Sequence, residues 1–204
     1  MFRIKPASTA DVPTLMALRT EAETWLSAKG SDQWSDREAG ARAIAKWHAA
    51  IDEGRTWLIT DSEGHTLGTV SRGPVDRDFW NESDSPETGF YLYKLMVSRK
   101  AAGQGIGSLA LDWAGRIASM EGRRWVRIDC WRSAHGLQHY YESLGFSHVR
   151  TEAPSHRKSG WLGQRPASIT LNQQSLQPWP GGDHVVSPLP VGVSSPGRKL
   201  PNHN

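Results

Sequence analysis

Residues 95–108 read Leu-Met-Val-Ser-Arg-Lys-Ala-Ala-Gly-Gln-Gly-Ile-Gly-Ser, an apolar strand end that runs through a basic loop into three glycines. An amphipathic helix follows at once, with apolar side chains at Ile106, Leu109, Ala110, Trp113, Ala114 and Ile117. This spacing puts Gly103, Gly105 and Gly107 at the helix N-terminus. Glycines there let unpaired backbone N–H groups approach an anion closely, and the helix dipole favours its negative charge. The stretch predicts a phosphate site.

The spacing excludes a P-loop, because no Lys follows the glycines. A dinucleotide fold fits less well than it first promises. The next strand, residues 124–130, does carry Asp129 at 24 residues beyond Gly105, where a ribose-binding acid would sit. That fold, however, turns on its first glycine directly at the strand end. Here five residues separate Val97 from Gly103, and only one further strand–helix unit follows.

Four pieces of sequence taken together resemble the acyl-CoA signature of the GNAT family, the Gcn5-related N-acyltransferases. They are Leu95-x-Val97, Gly103-Gln104-Gly105-Ile106-Gly107-Ser108, Asp129-Cys130-Trp131 and Tyr140-Tyr141-Glu142-Ser143-Leu144-Gly145-Phe146. The resemblance implies a mixed α/β fold with a mostly antiparallel central sheet flanked by helices. It also implies acetyl-CoA or another acyl-CoA as co-substrate, with no metal. In that family the strand before the glycine loop splays from its neighbour, and its backbone pairs with the pantetheine arm. The implied cofactor contacts are Leu95, Met96, Val97, Arg99, Lys100, Ala102, Gly103, Gln104, Gly105, Ile106, Gly107 and Ser108. Ala102 stands where Arg or Gln is common, and Ala134 where Asn is common, which puts cofactor affinity and the seating of the Tyr141 helix in question.

Acyl transfer from a thioester to an amine needs a held donor, a stabilised oxyanion, a deprotonated amine and a protonated leaving thiolate. The resemblance assigns the last task to Tyr141, as general acid. For the base, Tyr93, Glu87 and Asp129 are candidates, with His135 and a water relay beside them. His135 and His139 stand at i, i+4 without a third ligand at metal spacing, and Cys130 has no evident base partner. The acceptor is expected to be a primary amine on a small molecule. The segment 76–87 carries Asp76, Asp78, Glu82, Asp84 and Glu87 against the single Arg77, with Trp80 among them. Trp25 and Trp34 flank the junction of the first two helices, so Trp25, Trp34, Trp80, Glu82 and Asp84 form an expected acidic, aromatic rim for a cationic acceptor. A fold that binds CoA without turnover, and an acyltransferase acting on a protein or peptide amine, stay open as alternatives.

Outward from this centre, residues 2–5 read as a strand. Two helices follow, one opening at Ser8 to Asp11 and one on the capping box Ser35-x-x-Glu38. Residues 56–60 and 66–70 form a hairpin, and 90–97 is the central strand. A short helix carries Leu137, Tyr140, Tyr141 and Leu144, strands follow at 146–151 and 167–171, and 152–166 reads as a loop. Six of the 12 prolines lie beyond residue 172, so residues 1–172 read as the acyltransferase domain and 173–204 as a disordered Pro/Gly/Ser/Gln-rich tail.

The chain of 204 residues has room for one ordinary domain. Its net charge of +3 is too small to argue for nucleic acid, yet residues 95–132 hold seven basic side chains against three acidic ones, which suits a polyanionic cofactor. A single cysteine forbids an intrachain disulfide. No run of residues approaches the ~20 apolar positions of a membrane span, and the N-terminus lacks a leader-like apolar run, so the expectation is a cytoplasmic protein with no nucleic-acid or membrane partner. A homodimer is left open.

Overall fold

The two apolar runs on either side of the glycine loop, 90–97 and 125–131, become neighbours in one sheet, joined by the helix that starts at the glycines. The structure is a computed structural model and describes residues 1–31 and 39–180. In chain order the elements are β1 (Arg3–Pro6), α1 (Val12–Ala28), α2 (Ala39–Asp52), β2 (Thr56–Thr60), β3 (Thr66–Gly73), β4 (Gly89–Val97), α3 (Ile106–Met120), β5 (Trp125–Trp131), α4 (His135–Ser143), β6 (Ser147–Thr151), β7 (Ser159–Pro166) and β8 (Gln177–Pro178). The sheet runs β6-β7-β5-β4-β3-β2-β1-β8. Only the β4–β5 and β1–β8 pairs are parallel. Short connections join the antiparallel pairs β2–β3 and β6–β7, whereas the parallel β4 and β5 need α3 as their crossover.

The periodicity read from the sequence explains the layers. Ile106, Leu109, Ala110, Trp113, Ala114 and Ala118 of α3 pack with Phe90, Leu92, Val126, Ile128 and Cys130 on one face of the sheet. On the other face, Val12, Leu15, Trp47 and Ile51 of α1 and α2 enclose Leu58 and Met96. The described helices include none long and apolar enough to cross a membrane.

Three sequence expectations are corrected, the first being the strand at 167–171, where the chain makes a turn and then runs irregularly. The stretch 152–166 contains β7, which is inserted between β5 and β6 and pairs with both. Its Gly160, Gly163 and Pro166 suggested a loop, yet Gly160 stands at φ +145°, and a Cβ on Gly163 would meet the Trp161 ring at 2.6 Å. These glycines serve close backbone packing in a strand. The domain also does not stop at 172. Gln177 donates to the Phe2 carbonyl and Trp179 to that of Ile4, each at 3.1 Å, while Leu176 is 4% exposed in the main core. Residues 181–204 of the expected tail, and the Ser35–Glu38 capping box, lie outside the described residues.

The buried end of this segment carries a prediction. Ending the chain after Gln174 removes Leu176 and the β1 edge pairing. We expect a loss of about 2–3 kcal/mol, or a melting temperature lower by roughly 5–10 °C than that of a chain ended after Pro180. Equal melting temperatures would show that the β8 contacts contribute nothing.

Candidate active site

The glycine loop leaves its amides open. Gly103 and Gly105 stand at φ +81° and +74°, where L side chains are disfavoured. The N–H groups of Gly103, Gly105, Ile106, Gly107 and Ser108 have no acceptor among the described residues. Gly107 differs in that a Cβ there would lie 2.5 Å from the Tyr140 hydroxyl of α4, so a side chain would displace that ring. The loop entry is fixed from α1, where Glu21 accepts from the Arg99 amide at 3.0 Å, and the Arg99 guanidinium stacks 4.4 Å from the Trp25 ring centre. Five open amides at a helix N-terminus are the donors that an anion would require there.

Beside it the sheet splits. β4 pairs with β5 only at Gly89–Trp125, Phe90–Val126 and Tyr91–Arg127. Beyond these, β4 stays with β3 while β5 stays with β7. The gap opens into a cavity of about 740 Å³ lined on its two edges by Leu92 to Leu95 and by Ile128 to Trp131. β4 also carries a bulge at the gap. Phe90 and Leu92 face α3, as do Leu95 and Val97, whereas Tyr91, Tyr93 and Met96 face the opposite side. The alternation slips by one residue at Lys94, which stands at φ +50°.

Of the four expected catalytic residues, three line the cavity: Tyr141, Tyr93 and Asp129. Tyr141 is 8% exposed, its ring tilted against Tyr140 and edge-on to Phe146. Its hydroxyl has no hydrogen-bond partner among the described residues, and burial, followed by the neighbouring Cys130, raises its pKa. The Tyr93 hydroxyl donates to the Pro74 carbonyl at 2.8 Å, and burial raises its pKa as well. Asp129 is more basic than an ordinary carboxylate because burial, and then the charge of Asp76, opposes ionisation despite a hydrogen bond from Ser159. Cys130 is pushed up to about 12 by burial and by Asp129, which leaves an inert thiol.

A scan against family models matches residues 17–146 to the acetyltransferase (GNAT) family. The chain belongs to the GNAT acetyltransferase family. It is 29% identical over 158 residues to the uncharacterized N-acetyltransferase YesJ of Bacillus subtilis (strain 168), covering 76% of this chain and 87% of that protein. Its fold is similar to that of a GNAT-family acetyltransferase from Listeria monocytogenes 4b F2365, with TM-score 0.62 at 22% identity over 81% of this chain and 94% of the other. It is similar as well to the PaiA N-acetyltransferase of Thermoplasma acidophilum, solved in complex with coenzyme A, with TM-score 0.60 at 16% identity over 81% and 99% of the two chains.

Against the GNAT arrangement several expected site residues need correction. Glu87 is exposed at the closed end of β4, outside the cavity lining, and its carbonyl accepts from Arg123. The acids of the expected rim are paired with arginines. Asp84 is gripped by Arg150 through two contacts of 2.7 Å, Asp76 and Asp78 by Arg157 at 2.7 and 2.6 Å, and Glu82 by Arg77 at 2.5 Å. Trp80 is 2% exposed, with Arg127 stacked 4.6 Å from its ring centre. Trp25 lies under Arg99, on the glycine-loop side. Trp34 falls outside the described residues. Arg150 and Arg157, which hold Asp84, Asp76 and Asp78, come from β6 and the β6–β7 connection, more than 60 residues on, so no local reading of 76–87 reveals them.

The cofactor residues divide. Leu95 lines the cavity, whereas the Met96 and Val97 side chains pack in the core, which leaves only their backbone for a ligand. Ala102 ends a 3₁₀ turn at residues 99–101 and donates to the Arg99 carbonyl, and Gln104 reaches back to the Lys100 carbonyl at 3.4 Å. Ala134 gives α4 no side-chain cap. Gln138 supplies the tie instead, donating to the carbonyls of Trp131 and Arg132 at 3.0 Å each. Sequence reasoning passed over Gln138 and Lys94. Among the described residues one trio of metal-ligating side chains occurs, Asp61, Glu63 and His65 in the β2–β3 turn, away from the cavity lining.

Proposed function

We propose that this GNAT enzyme transfers an acetyl group from acetyl-CoA to the primary amine of a small molecule, by direct attack in a ternary complex. The observation that carries the reading is that β4, which parts from β5 beyond Tyr91, leads through five residues past its end into the open amides at 103–108, so that a pantetheine arm would follow the split and a diphosphate the loop. Thioester carbon and acceptor amine would meet at the bulge, and binding both there replaces a bimolecular encounter by an oriented one.

Each proton has a place in this scheme. Asp129 takes one from the acceptor ammonium, a task for which its raised basicity suits it. Tyr141 stays protonated at neutral pH because burial disfavours its phenolate. Its hydroxyl, without a partner among the described residues, is available to donate its proton to the departing thiolate, and the phenolate left behind regains one from the nitrogen as the amide forms. Tyr93 is unsuited to the base role, since its hydroxyl proton is already committed to Pro74.

The test of the cofactor site is Gly105→Glu. The new carboxylate would occupy the diphosphate position, and we expect acetyl-CoA affinity to fall by about 10–100-fold. Gly105→Asn, which tolerates the positive φ, controls for backbone strain and should bind within a few-fold of wild type. Unchanged affinity in Gly105→Glu by calorimetry would remove the loop from the cofactor site.

A further inference from the structure

The cavity reserves one cation for which the fold supplies no counter-charge. Lys94 sits at the bulge of β4, only partly exposed, and lines the cavity with its ammonium 4.7 Å from the Trp47 ring centre. Among the described residues it has no carboxylate partner. The charges that bear on it most are cations, Lys46 of α2, Arg19 of α1 and Arg55 before β2, of which Arg19 is paired with Glu23 at 2.6 Å and Arg55 with Glu53 at 2.8 Å. The acids that share the cavity are otherwise engaged, Asp76 by Arg157 and Asp129 by Ser159. Lys94 also occupies a positive-φ site, where Gly or Asn would be the unstrained choice. A long cationic side chain in so costly a position calls for a compensating interaction.

We propose that the acceptor is an amine that also carries an anionic group, a carboxylate in the simplest case, and that Lys94 binds that group while the amine faces the thioester. The inference rests on the acetyltransferase reading above and gives it a substrate class, that of amino acids rather than polyamines. A carboxylate entering beside Trp47 relieves the mutual repulsion of Lys94, Lys46 and Arg19. It also fixes the acceptor at one end, so that its amine is oriented at the other. Burial, with those three neighbouring cations, lowers the Lys94 pKa to about 8, so an unliganded Lys94 gives up its proton more readily than an ordinary lysine.

The experiment pairs amino acids with their carboxamides and decarboxylated amines, read by CoA release in wild type, Lys94→Met and Lys94→Arg. In wild type, kcat/KM should favour the carboxylate member by about 10–100-fold, the size of a charge-assisted hydrogen bond. That ratio should collapse in Lys94→Met and persist in Lys94→Arg, with the change carried by KM. Both variants have the same β-carbon as lysine and so meet the same backbone cost, and an acetyl-CoA-induced rise in melting temperature reports that they are folded. Equal or reversed preference in wild type, or a preference that survives Lys94→Met, overturns the inference. A second arm uses calorimetry of N-acetyl amino acids and N-acetyl carboxamides on the CoA-loaded protein. Wild-type affinity for the carboxylate should weaken as pH rises past about 8, and the Lys94→Arg variant should hold it. If no amine is turned over yet this Lys94-dependent binding is present, the acetyltransferase reading fails and the anion site stands. If amines are turned over without it, the reverse holds.

Discussion

Tyr141→Phe should lower kcat by about 100-fold or more, with acetyl-CoA affinity and melting temperature nearly unchanged. The ring is 8% exposed and packs edge-on against Phe146, and phenylalanine keeps those contacts. The lost hydroxyl has no protein partner among the described residues, so its removal leaves no buried group unsatisfied. In the proposed scheme what disappears is the donor to the departing sulfur, and a positioned acid contributes about 10²–10⁴ in rate. Because burial raises the pKa of this phenol, the wild-type profile should show no alkaline loss of activity from its ionisation below pH 10. Single-turnover thiol release with a saturating acceptor reads the chemical step directly. A Phe variant that keeps wild-type single-turnover rates would assign protonation of the thiolate to another group.

The element order and the cofactor loop were legible because their signals are local. A strand, three glycines and a helix at 3.6-residue spacing lie within 32 consecutive residues, and Gly103 and Gly105 have a backbone reason, their positive φ, that residue type announces. The acceptor side was not legible, because its charges are decided by partners distant in sequence. Asp84 looks free in its own segment and is held by Arg150, 66 residues later. Lys94 looks like an ordinary alternating position of β4, and only the register slip against β3 turns it to the α1–α2 side of the sheet. β7 was hidden by its glycines and proline, and β8 by its length of two residues, too short for any periodicity.

The same distance from sequence governs the second large effect. Asp112→Ala should destabilise the fold by about 3–5 kcal/mol, since it strands a buried cation. Asp112 lies on α3 with 2% exposure, and its Oδ1 accepts from Arg165 of β7 at 2.5 Å. Its Oδ2 accepts from the amides of Leu171 and Asn172 at 2.9 and 2.8 Å and from Asn172 Nδ2 at 2.7 Å. Arg165 is itself fully buried, so alanine leaves a guanidinium with the Ile169 carbonyl but no counter-ion. Burial raises the Asp112 pKa, but the bonds from Arg165, Asn172 and Leu171 outweigh it and hold the carboxyl below its ordinary value of 3.8. The sign follows: the contribution is complete above the unfolded pKa and is lost as pH falls through the lower folded one. The stability gap between wild type and variant in urea unfolding should therefore be full at pH 7 and shrink only at pH below about 4. Asn172 Nδ2 also bonds the Ser108 hydroxyl at 2.8 Å, in the first turn of α3, so freeing 171–172 loosens the anion cradle and should weaken acetyl-CoA binding as well. Adding Arg165→Leu removes the stranded charge, and the double variant should regain more than half of the lost stability. If the double variant is no more stable than Asp112→Ala, the cost lies in the freed 171–172 backbone and not in the ion pair.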